Sequence, residues 1–176
     1  MKRILVVVDY QNDFVDGALG FAGAEKLDPL IAQRVREYGE TNVFFTRDTH
    51  GENYPETREG KNLPVLHCVE NTFGWELYGE TKKALSEVRA VGFNKYSFGL
   101  LLTPEVDALL PAEAEEIELA GLVSNICVIS NAVVFQTKYP EAKLIVDARL
   151  TASFDEELNS KTLDILEGLQ VTVRNR

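Results

Sequence analysis

The sequence predicts an α/β fold with three layers, in which a six-stranded, mostly parallel sheet carries helices on both faces. Short β-branched runs alternate with amphipathic stretches along the chain. The first run, residues 4–8, is apolar throughout, which is typical of a strand buried on both faces. The intervening stretches are long enough for crossover helices, so successive strands are expected to run parallel.

Each element has a local signal in hydrophobic periodicity or turn chemistry. The predicted strands are 4–8, 42–46, 88–93, 117–122, 143–146 and 170–173. The predicted helices are 29–38, 77–85, 104–110, 124–138 and one from 156 to about 169. The β-branched segment 124–138 resembles a strand locally, but its length of about 14 residues favours a buried helix.

Helix starts are predicted from capping residues. Asp28 is expected to cap the first long helix, with Pro29 in its first turn. Ser124 or Asn125 is expected to cap the helix that follows the fourth strand. The segment 153–156, Ser-Phe-Asp-Glu, fits a capping box for the last helix.

Composition limits the classes of partner. The 176 residues include 18 Lys and Arg against 28 Asp and Glu, a net charge of −10, which argues against nucleic acid or an anionic membrane as a partner. No apolar run approaches the roughly 20 residues of a membrane span, and the apolar start is too short for a signal peptide. We therefore expect a single domain over 1–176, located in the cytoplasm, whose two cysteines form no disulfide framework.

Chemically active residues follow four predicted strands. Asp9 ends the first strand, Asp48 and His50 follow the second, Lys95 follows the third, and Cys127 lies after the fourth. In a doubly wound parallel sheet, ligands bind at the carboxyl ends of the strands. No glycine-rich phosphate-binding motif follows the first strand, so a nucleotide site is not indicated.

Cys127 has two open interpretations. A cysteine at a helix start beside a cation such as Lys95 is expected to have a lowered thiol pKa and to act as a nucleophile. A small apolar residue in a buried helix is the alternative. Asp9 is similarly either a turn residue or a general base for that thiol.

The polar loop after the second strand contains both histidines of the chain. Asp48, His50 and His67 form a three-ligand pattern for a divalent metal, and Glu56 or Glu59 is a candidate fourth ligand. Carboxylate and imidazole ligands suit zinc, iron or manganese. Two surface histidines in a polar loop are the alternative.

The sequence resembles the isochorismatase-like cysteine hydrolases, and within them the nicotinamidase-type amidases. Five segments in order carry the resemblance: Val8-Asp9-Tyr10-Gln11-Asn12-Asp13-Phe14, Thr46-Arg47-Asp48-Thr49-His50, Pro64-Val65-Leu66-His67-Cys68-Val69, Asn94-Lys95-Tyr96-Ser97-Phe98 and Gly121-Leu122-Val123-Ser124-Asn125-Ile126-Cys127-Val128. The resemblance implies a Rossmann-like sheet and a homo-oligomeric assembly, a dimer or tetramer.

The resemblance also implies site residues. It implies a catalytic triad of Asp9, Lys95 and Cys127, and an oxyanion hole formed by the N–H groups of Val123 and Cys127 beside a cis peptide bond at Leu122–Val123. It implies one divalent metal, with zinc as the first choice, held by Asp48, His50 and His67. Glu59 fits the remaining ligand position better than Glu56 by its spacing.

The implied substrate is a small carboxamide, above all nicotinamide, cleaved through a thioester. Phe14, and Phe98 or Tyr96, are the expected aromatic walls. Relatives that act on nicotinamide often have an aromatic residue where this chain has Pro64, so Trp75 is a substitute candidate. The alternatives are an N-carbamoyl or ureide substrate, a non-catalytic binding protein of the same fold, and a redox protein using Cys68 and Cys127.

Overall fold

A six-stranded, fully parallel sheet forms the middle layer of the computed structural model, which describes residues 2–176. The strands are β1 (Arg3–Val8), β2 (Val43–Asp48), β3 (Val91–Lys95), β4 (Glu116–Leu122), β5 (Lys143–Ala152) and β6 (Thr172–Arg174). The helices are α1 (Asn12–Val15), α2 (Asp28–Tyr38), α3 (Arg58–Asn62), α4 (Gly79–Glu87), α5 (Pro104–Leu109), α6 (Ile129–Lys138) and α7 (Glu156–Gly168). The strand order is β3-β2-β1-β4-β5-β6. The predicted fold class is confirmed.

Two hydrophobic cores lie on opposite faces of the sheet, and β1 contributes to both. Leu5 and Val7 pack in the core that includes α2 and α4, whereas Ile4, Val6 and Val8 pack in the core that includes α6 and α7. Successive side chains of a strand point to opposite faces, so an apolar run buries both sides. No helix within residues 2–176 is long and apolar enough to cross a bilayer.

The chain reverses its direction of winding at β1, whose neighbours are β2 and β4. Gly121, near the end of β4, is paired with Val8 and has a φ of +110°. A Cβ at Gly121 would lie 2.0 Å from the Val8 carbonyl oxygen, so only glycine permits this close approach. The segments leaving β1 and β4 therefore begin side by side, where doubly wound sheets bind ligands.

Two of the predicted helix caps are wrong. The Asp28 carboxylate accepts hydrogen bonds from the N–H groups of Glu80 and Thr81, at 2.8 Å each, and so caps α4 rather than its own helix α2. Asp155, not Ser153, caps α7 by accepting the N–H of Leu158 at 2.9 Å. Each carboxylate accepts hydrogen bonds from the N–H groups nearest to it in space. Sequence order alone does not determine which groups these are.

The helix after β4 also starts differently from the prediction. Residues Ser124–Val128 form a π-helical turn before α6, and no side chain caps that turn. The Ser124 hydroxyl instead donates a hydrogen bond to Asn159 Oδ1 in α7 at 2.6 Å. The turn is thereby attached to a neighbouring helix.

Candidate active site

Lys95 lies at the centre of a buried group of charged and thiol side chains. Its Nζ is 2.7 Å from Asp9 Oδ2, 3.0 Å from Asp48 Oδ1 and 3.6 Å from Cys127 Sγ. The parallel register places Asp48 directly opposite Lys95 on the adjacent strand. A fourth contact, to the carbonyl oxygen of Ser97 at 3.0 Å, holds the ammonium in place. The structure thus brings the three predicted catalytic residues together.

Asp9 is fully buried where the chain leaves β1, with a φ of +46°. Its Oδ1 accepts a hydrogen bond from Thr46 Oγ1 at 2.7 Å. Burial raises the pKa of Asp9, although the Lys95 charge opposes this shift. A carboxylate whose protonated form is favoured in this way suits a group that accepts a proton during a reaction.

The Cys127 thiol is buried in the π-helical turn. Burial raises its pKa well above the ordinary value, the Asp9 carboxylate raises it further, and Lys95 opposes both effects. The expectation that a helix start and Lys95 lower this pKa is therefore wrong, because desolvation and the second charge outweigh the lysine. Burial therefore favours the neutral thiol, and the Asp9 carboxylate, which contacts the same Lys95 ammonium, is a nearby group that can accept its proton.

A buried amide joins the Cys127 turn to the loop after β3. Asn131 Nδ2 donates to the carbonyl oxygens of Cys127 at 2.8 Å and Phe98 at 3.1 Å. Its Oδ1 accepts the N–H of Leu100 at 2.9 Å. Sequence reasoning missed Asn131, because a single Asn inside an apolar helix gives no signal of what it contacts.

A second group of side chains adjoins Lys95 through Asp48. Asp48, His50, Glu59 and His67 each offer a ligand atom, and these four atoms lie within 4.8 Å of one another. Asp48 Oδ2 is 2.9 Å from Nε2 of His50 and 3.6 Å from Nε2 of His67. A parallel bridge between His50 and Val69 lays the His67 segment beside His50. Glu56, the other candidate ligand, is exposed and does not belong to this group.

The chemistry of this group fits a divalent cation. Two imidazoles and two carboxylates are a common donor set for transition metals. Burial raises the pKa of Asp48, but hydrogen bonds from the two histidines and the Lys95 charge outweigh it and hold that pKa well below the usual value. Asp48 is therefore ionised, as a ligand must be.

Gln11 and Tyr54 hold the metal-ligand group in place, and sequence reasoning missed both. Gln11 contacts the backbone of Asp48, and Tyr54 contacts the two histidine rings. The Gln11 side chain makes two hydrogen bonds with the backbone of Asp48. Its Oε1 accepts the Asp48 N–H at 2.7 Å, and its Nε2 donates to the Asp48 carbonyl oxygen at 2.9 Å. Tyr54 is buried with its ring against both histidines, 4.5 Å from His50 and 5.0 Å from His67 between centroids. Gln11 lies in one of the segments that carry the family resemblance, whereas nothing in the sequence singles out Tyr54.

A cavity of about 230 Å³ opens beside the site. Its lining comprises His50, Thr57, Arg58, Glu59, Tyr96, Ser97 and Phe98. Tyr96 and Phe98 supply aromatic surface to this lining, and Arg58 and Glu59 supply charged groups.

The predicted aromatic walls divide into two sets. Tyr96 and Phe98 line the cavity. Phe14 packs edge-on against the ring of His67, with 5.5 Å between centroids, and is buried. Trp75 lies under the Arg47 guanidinium, 3.8 Å from the ring centroid, and donates a hydrogen bond to Thr49. Trp75 is not among the residues that line the cavity.

The peptide bond between Leu122 and Val123 is cis, and Val123 is buried at the end of β4. The assignment of the Val123 and Cys127 N–H groups to an oxyanion hole stays a prediction. Both cysteines are free and lie in the cores of opposite sheet faces, Cys68 with α2 and Cys127 with α6. This separation counts against a redox pair.

Comparison with known proteins identifies a family that matches nearly the whole chain. The isochorismatase domain family matches residues 3–175. A Bacillus subtilis protein described as the uncharacterized isochorismatase family protein PncA is 29% identical over 171 residues, covering 89% of this chain and 90% of the relative.

Solved structures share the fold. The nicotinamidase PncA from Bacillus subtilis superposes with a TM-score of 0.82 at 23% identity, covering 99% of this chain and 100% of that one. The pyrazinamidase of Pyrococcus horikoshii in complex with zinc superposes with a TM-score of 0.82 at 21% identity, and each chain is covered completely.

Proposed function

The chain belongs to the isochorismatase family, as its motifs predict, and from this premise we propose that it is a metal-assisted cysteine amidohydrolase that converts nicotinamide to nicotinate and ammonia. One observation carries the proposal. The Lys95 ammonium contacts the Asp9 carboxylate, the Cys127 thiol and the Asp48 carboxylate at once. The proposed base, nucleophile and first metal ligand are therefore linked through one cation, next to a cavity with aromatic walls.

The first half of the reaction forms a thioester. Cys127 Sγ attacks the carboxamide carbon while its proton passes to Asp9, since the neutral thiol is a poor nucleophile. Lys95 stabilises the developing thiolate. The N–H groups of Val123 and Cys127 are the proposed donors to the tetrahedral oxyanion, and losing one such donor costs roughly 3–4 kcal/mol in comparable sites.

The second half restores the enzyme. The tetrahedral intermediate expels ammonia, which takes its third proton from Asp9, and leaves the acyl group on Cys127. Asp9, ionised again, removes a proton from a water that attacks the thioester carbon. The acid is released and the sulfur regains its proton, so one water is consumed for each amide cleaved.

Asp48, His50, Glu59 and His67 are the proposed ligands of a divalent metal, with zinc as the first choice and iron or manganese as alternatives. When bound, the ion would supply a Lewis-acidic position that orients a ring nitrogen of the substrate. The complex of the Pyrococcus horikoshii pyrazinamidase with zinc supports this assignment. Tyr96 and Phe98 would flank the ring from the protein side.

Ammonia release tests the proposal directly. Purified enzyme, loaded with zinc in one arm and iron or manganese in two others, is incubated with nicotinamide and in parallel with N-carbamoyl amino acids and ureides. We expect release from nicotinamide, none from Cys127→Ala, and bound metal in both. Release from the ureides alone would replace the substrate but keep the mechanism. Release by Cys127→Ala at the wild-type rate would reject the mechanism.

A further inference from the structure

We propose that Tyr54 is a positioning residue that aligns the histidines and the Glu59 loop for metal binding. The inference rests on the metal site of the proposed function. It concerns a side chain that is not among the four proposed ligands, and it predicts which part of the polar loop sets the geometry of that site. Tyr54 is 1% exposed, in a loop whose neighbouring residues, 51–53 and 55–56, are all exposed.

Three aromatic rings form one packed cluster. The Tyr54 ring is 4.5 Å from His50 and 5.0 Å from His67, and the two imidazoles are 4.7 Å apart. The Tyr54–His67 planes meet at 80°, the edge-to-face arrangement that aromatic pairs favour. Tyr54 therefore contacts both imidazoles and limits how either can rotate.

His50 depends on this packing more than His67 does. Metal-binding histidines are normally oriented by a hydrogen bond at the nitrogen that does not face the metal. His67 has such a bond, from Nδ1 to the Val65 carbonyl oxygen at 2.7 Å. Among residues 2–176, the hydrogen bonds of the His50 ring all involve Nε2, which faces Asp48. The plane of the His50 ring is thus set by its contacts with Tyr54 and His67.

Tyr54 also anchors the segment that carries Glu59. The phenol donates a hydrogen bond to the Leu63 carbonyl oxygen at 2.9 Å, beyond the C-terminal end of α3. The Tyr54 carbonyl oxygen accepts the Thr57 hydroxyl at 2.7 Å, just before α3 begins. A Cβ at Gly60 would lie 2.0 Å from the same carbonyl oxygen, so α3 packs directly on this residue. One residue therefore ties Glu59 to the two histidines.

The alternative role of a buried tyrosine is stability alone, and Tyr139 provides a matched control for that role. Tyr139 is 5% exposed, and its phenol donates to the Pro111 carbonyl oxygen at 2.6 Å, in the core on the α6 face. Tyr54→Leu and Tyr139→Leu each remove one buried ring and one hydrogen bond to a carbonyl oxygen. Only the first removes contacts to proposed ligands.

The experiment measures metal affinity in full-length, metal-free protein. Zinc is titrated in competition with a chromophoric chelator, and the visible spectrum of the cobalt(II) form reports ligand geometry. We expect Tyr54→Leu to bind zinc 10- to 100-fold more weakly, as for other residues that orient metal ligands, and to alter the cobalt bands. Tyr54→Phe keeps the ring contacts and loses only the hydrogen bond to Leu63, so its zinc affinity should fall between those of Tyr54→Leu and the wild type. Tyr139→Leu should stay within about threefold of wild type.

The outcomes distinguish the role of Tyr54 from the existence of the metal site. Wild-type affinity and an unchanged cobalt spectrum in Tyr54→Leu would overturn the role of Tyr54 while leaving the metal site intact. An equal loss in Tyr139→Leu would also overturn it, because general destabilisation would then explain both. If Tyr54→Leu does not fold, Tyr54→Met, which fills the space with a flexible apolar chain, is held to the same criteria. A wild-type chain that binds neither ion would reject the proposed metal site itself.

Discussion

Two buried ion clusters lie on the sheet, and the one remote from the candidate active site has balanced charges. Glu118 in β4 and Asp147 in β5 are almost fully buried on the α2 side. Arg34 contacts both carboxylates, and Arg149 pairs with Asp147 through two hydrogen bonds of 2.7 and 3.1 Å. Two buried carboxylates therefore meet two guanidinium groups, so the buried charges of this cluster are balanced. Arg34 also pairs at 3.1 Å with Glu37, whose side chain is half exposed to solvent.

The cluster at the strand ends has a deficit of positive charge. Asp9, Asp48 and Glu59 bring three carboxylates to one region, and within residues 2–176 Lys95 is the single ammonium in contact with Asp9 and Asp48. Buried charge is costly unless it is paired, so this group favours an added cation or proton. The difference between the clusters indicates that one stabilises the fold, whereas the other is arranged to receive a metal ion and to move a proton.

The largest expected effect is the loss of catalysis when the thiol is removed. Cys127→Ala should lower the rate of ammonia release by at least about 10⁴-fold, since removal of a nucleophile leaves only binding and oxyanion stabilisation. Cys68→Ala, in the opposite core, should retain activity within about tenfold, although it loses packing. Rates for the two variants at saturating nicotinamide provide the check. Comparable losses would show that packing, and not the Cys127 sulfur, accounts for the effect.

Much of this arrangement follows from local sequence signals. The apolar run before Asp9 fixes a strand and a polar side chain at its end, and Asp48, Lys95 and Cys127 follow the same rule at other strands. The parallel topology then brings these ends together without further information. The position of Asp9, Asp48, Lys95 and Cys127 was predictable because these residues lie at or just after strand ends.

Other features depend on contacts between distant segments and were not predictable. The pKa of Cys127 is raised because burial and Asp9 outweigh Lys95, a balance set by three-dimensional packing. Tyr54 and Asn131 act through neighbours that no periodicity reveals. β5 extends to Ala152 through an irregular register opposite residues 119–121, where the polar residues Asp147 and Arg149 give no strand signal.

The next largest effects are expected when the cation that contacts two carboxylates is removed from either cluster. Lys95→Met and Arg34→Met each leave two buried carboxylates short of one cation, and each should lower the free energy of unfolding by about 3–5 kcal/mol. Only Lys95→Met should also slow amide cleavage, by about 10³-fold or more, since Lys95 faces the thiol. Urea denaturation and ammonia release, measured on both variants, give the two values. A similar loss of activity in Arg34→Met would contradict the division of roles.

Metal removal is expected to have a smaller effect on stability. An ion that binds only the folded chain stabilises it by about 2.7 kcal/mol at a free concentration 100 times its Kd. Added zinc should therefore raise the melting temperature of the wild type and leave His50→Ala unchanged. Arg149 pairs with Asp147 in the other cluster and contacts none of the proposed metal ligands, so Arg149→Met should respond to zinc as the wild type does. An equal zinc response in His50→Ala would place the binding elsewhere.

The smallest expected effect concerns acid stability in the balanced cluster. Burial raises the pKa of Asp147, but its hydrogen bonds with Arg149 outweigh burial and bring it to about 2, below the usual 3.8. The ionised carboxylate therefore stabilises the fold above pH 3.8, and this contribution disappears as the pH falls from 3.8 towards 2.

Urea unfolding of the wild type and Asp147→Asn between pH 2 and 5 measures that term. The difference between their free energies of unfolding should shrink as the pH falls. Burial raises the pKa of the neighbouring Glu118, so its effect on stability depends on pH in the opposite sense to that of Asp147. Protonation of Glu118 favours the folded state, and the penalty for Glu118→Gln relative to wild type should grow as the pH falls. Parallel behaviour of the two variants would mean that Arg34 couples the carboxylates into one titrating unit, since it contacts both.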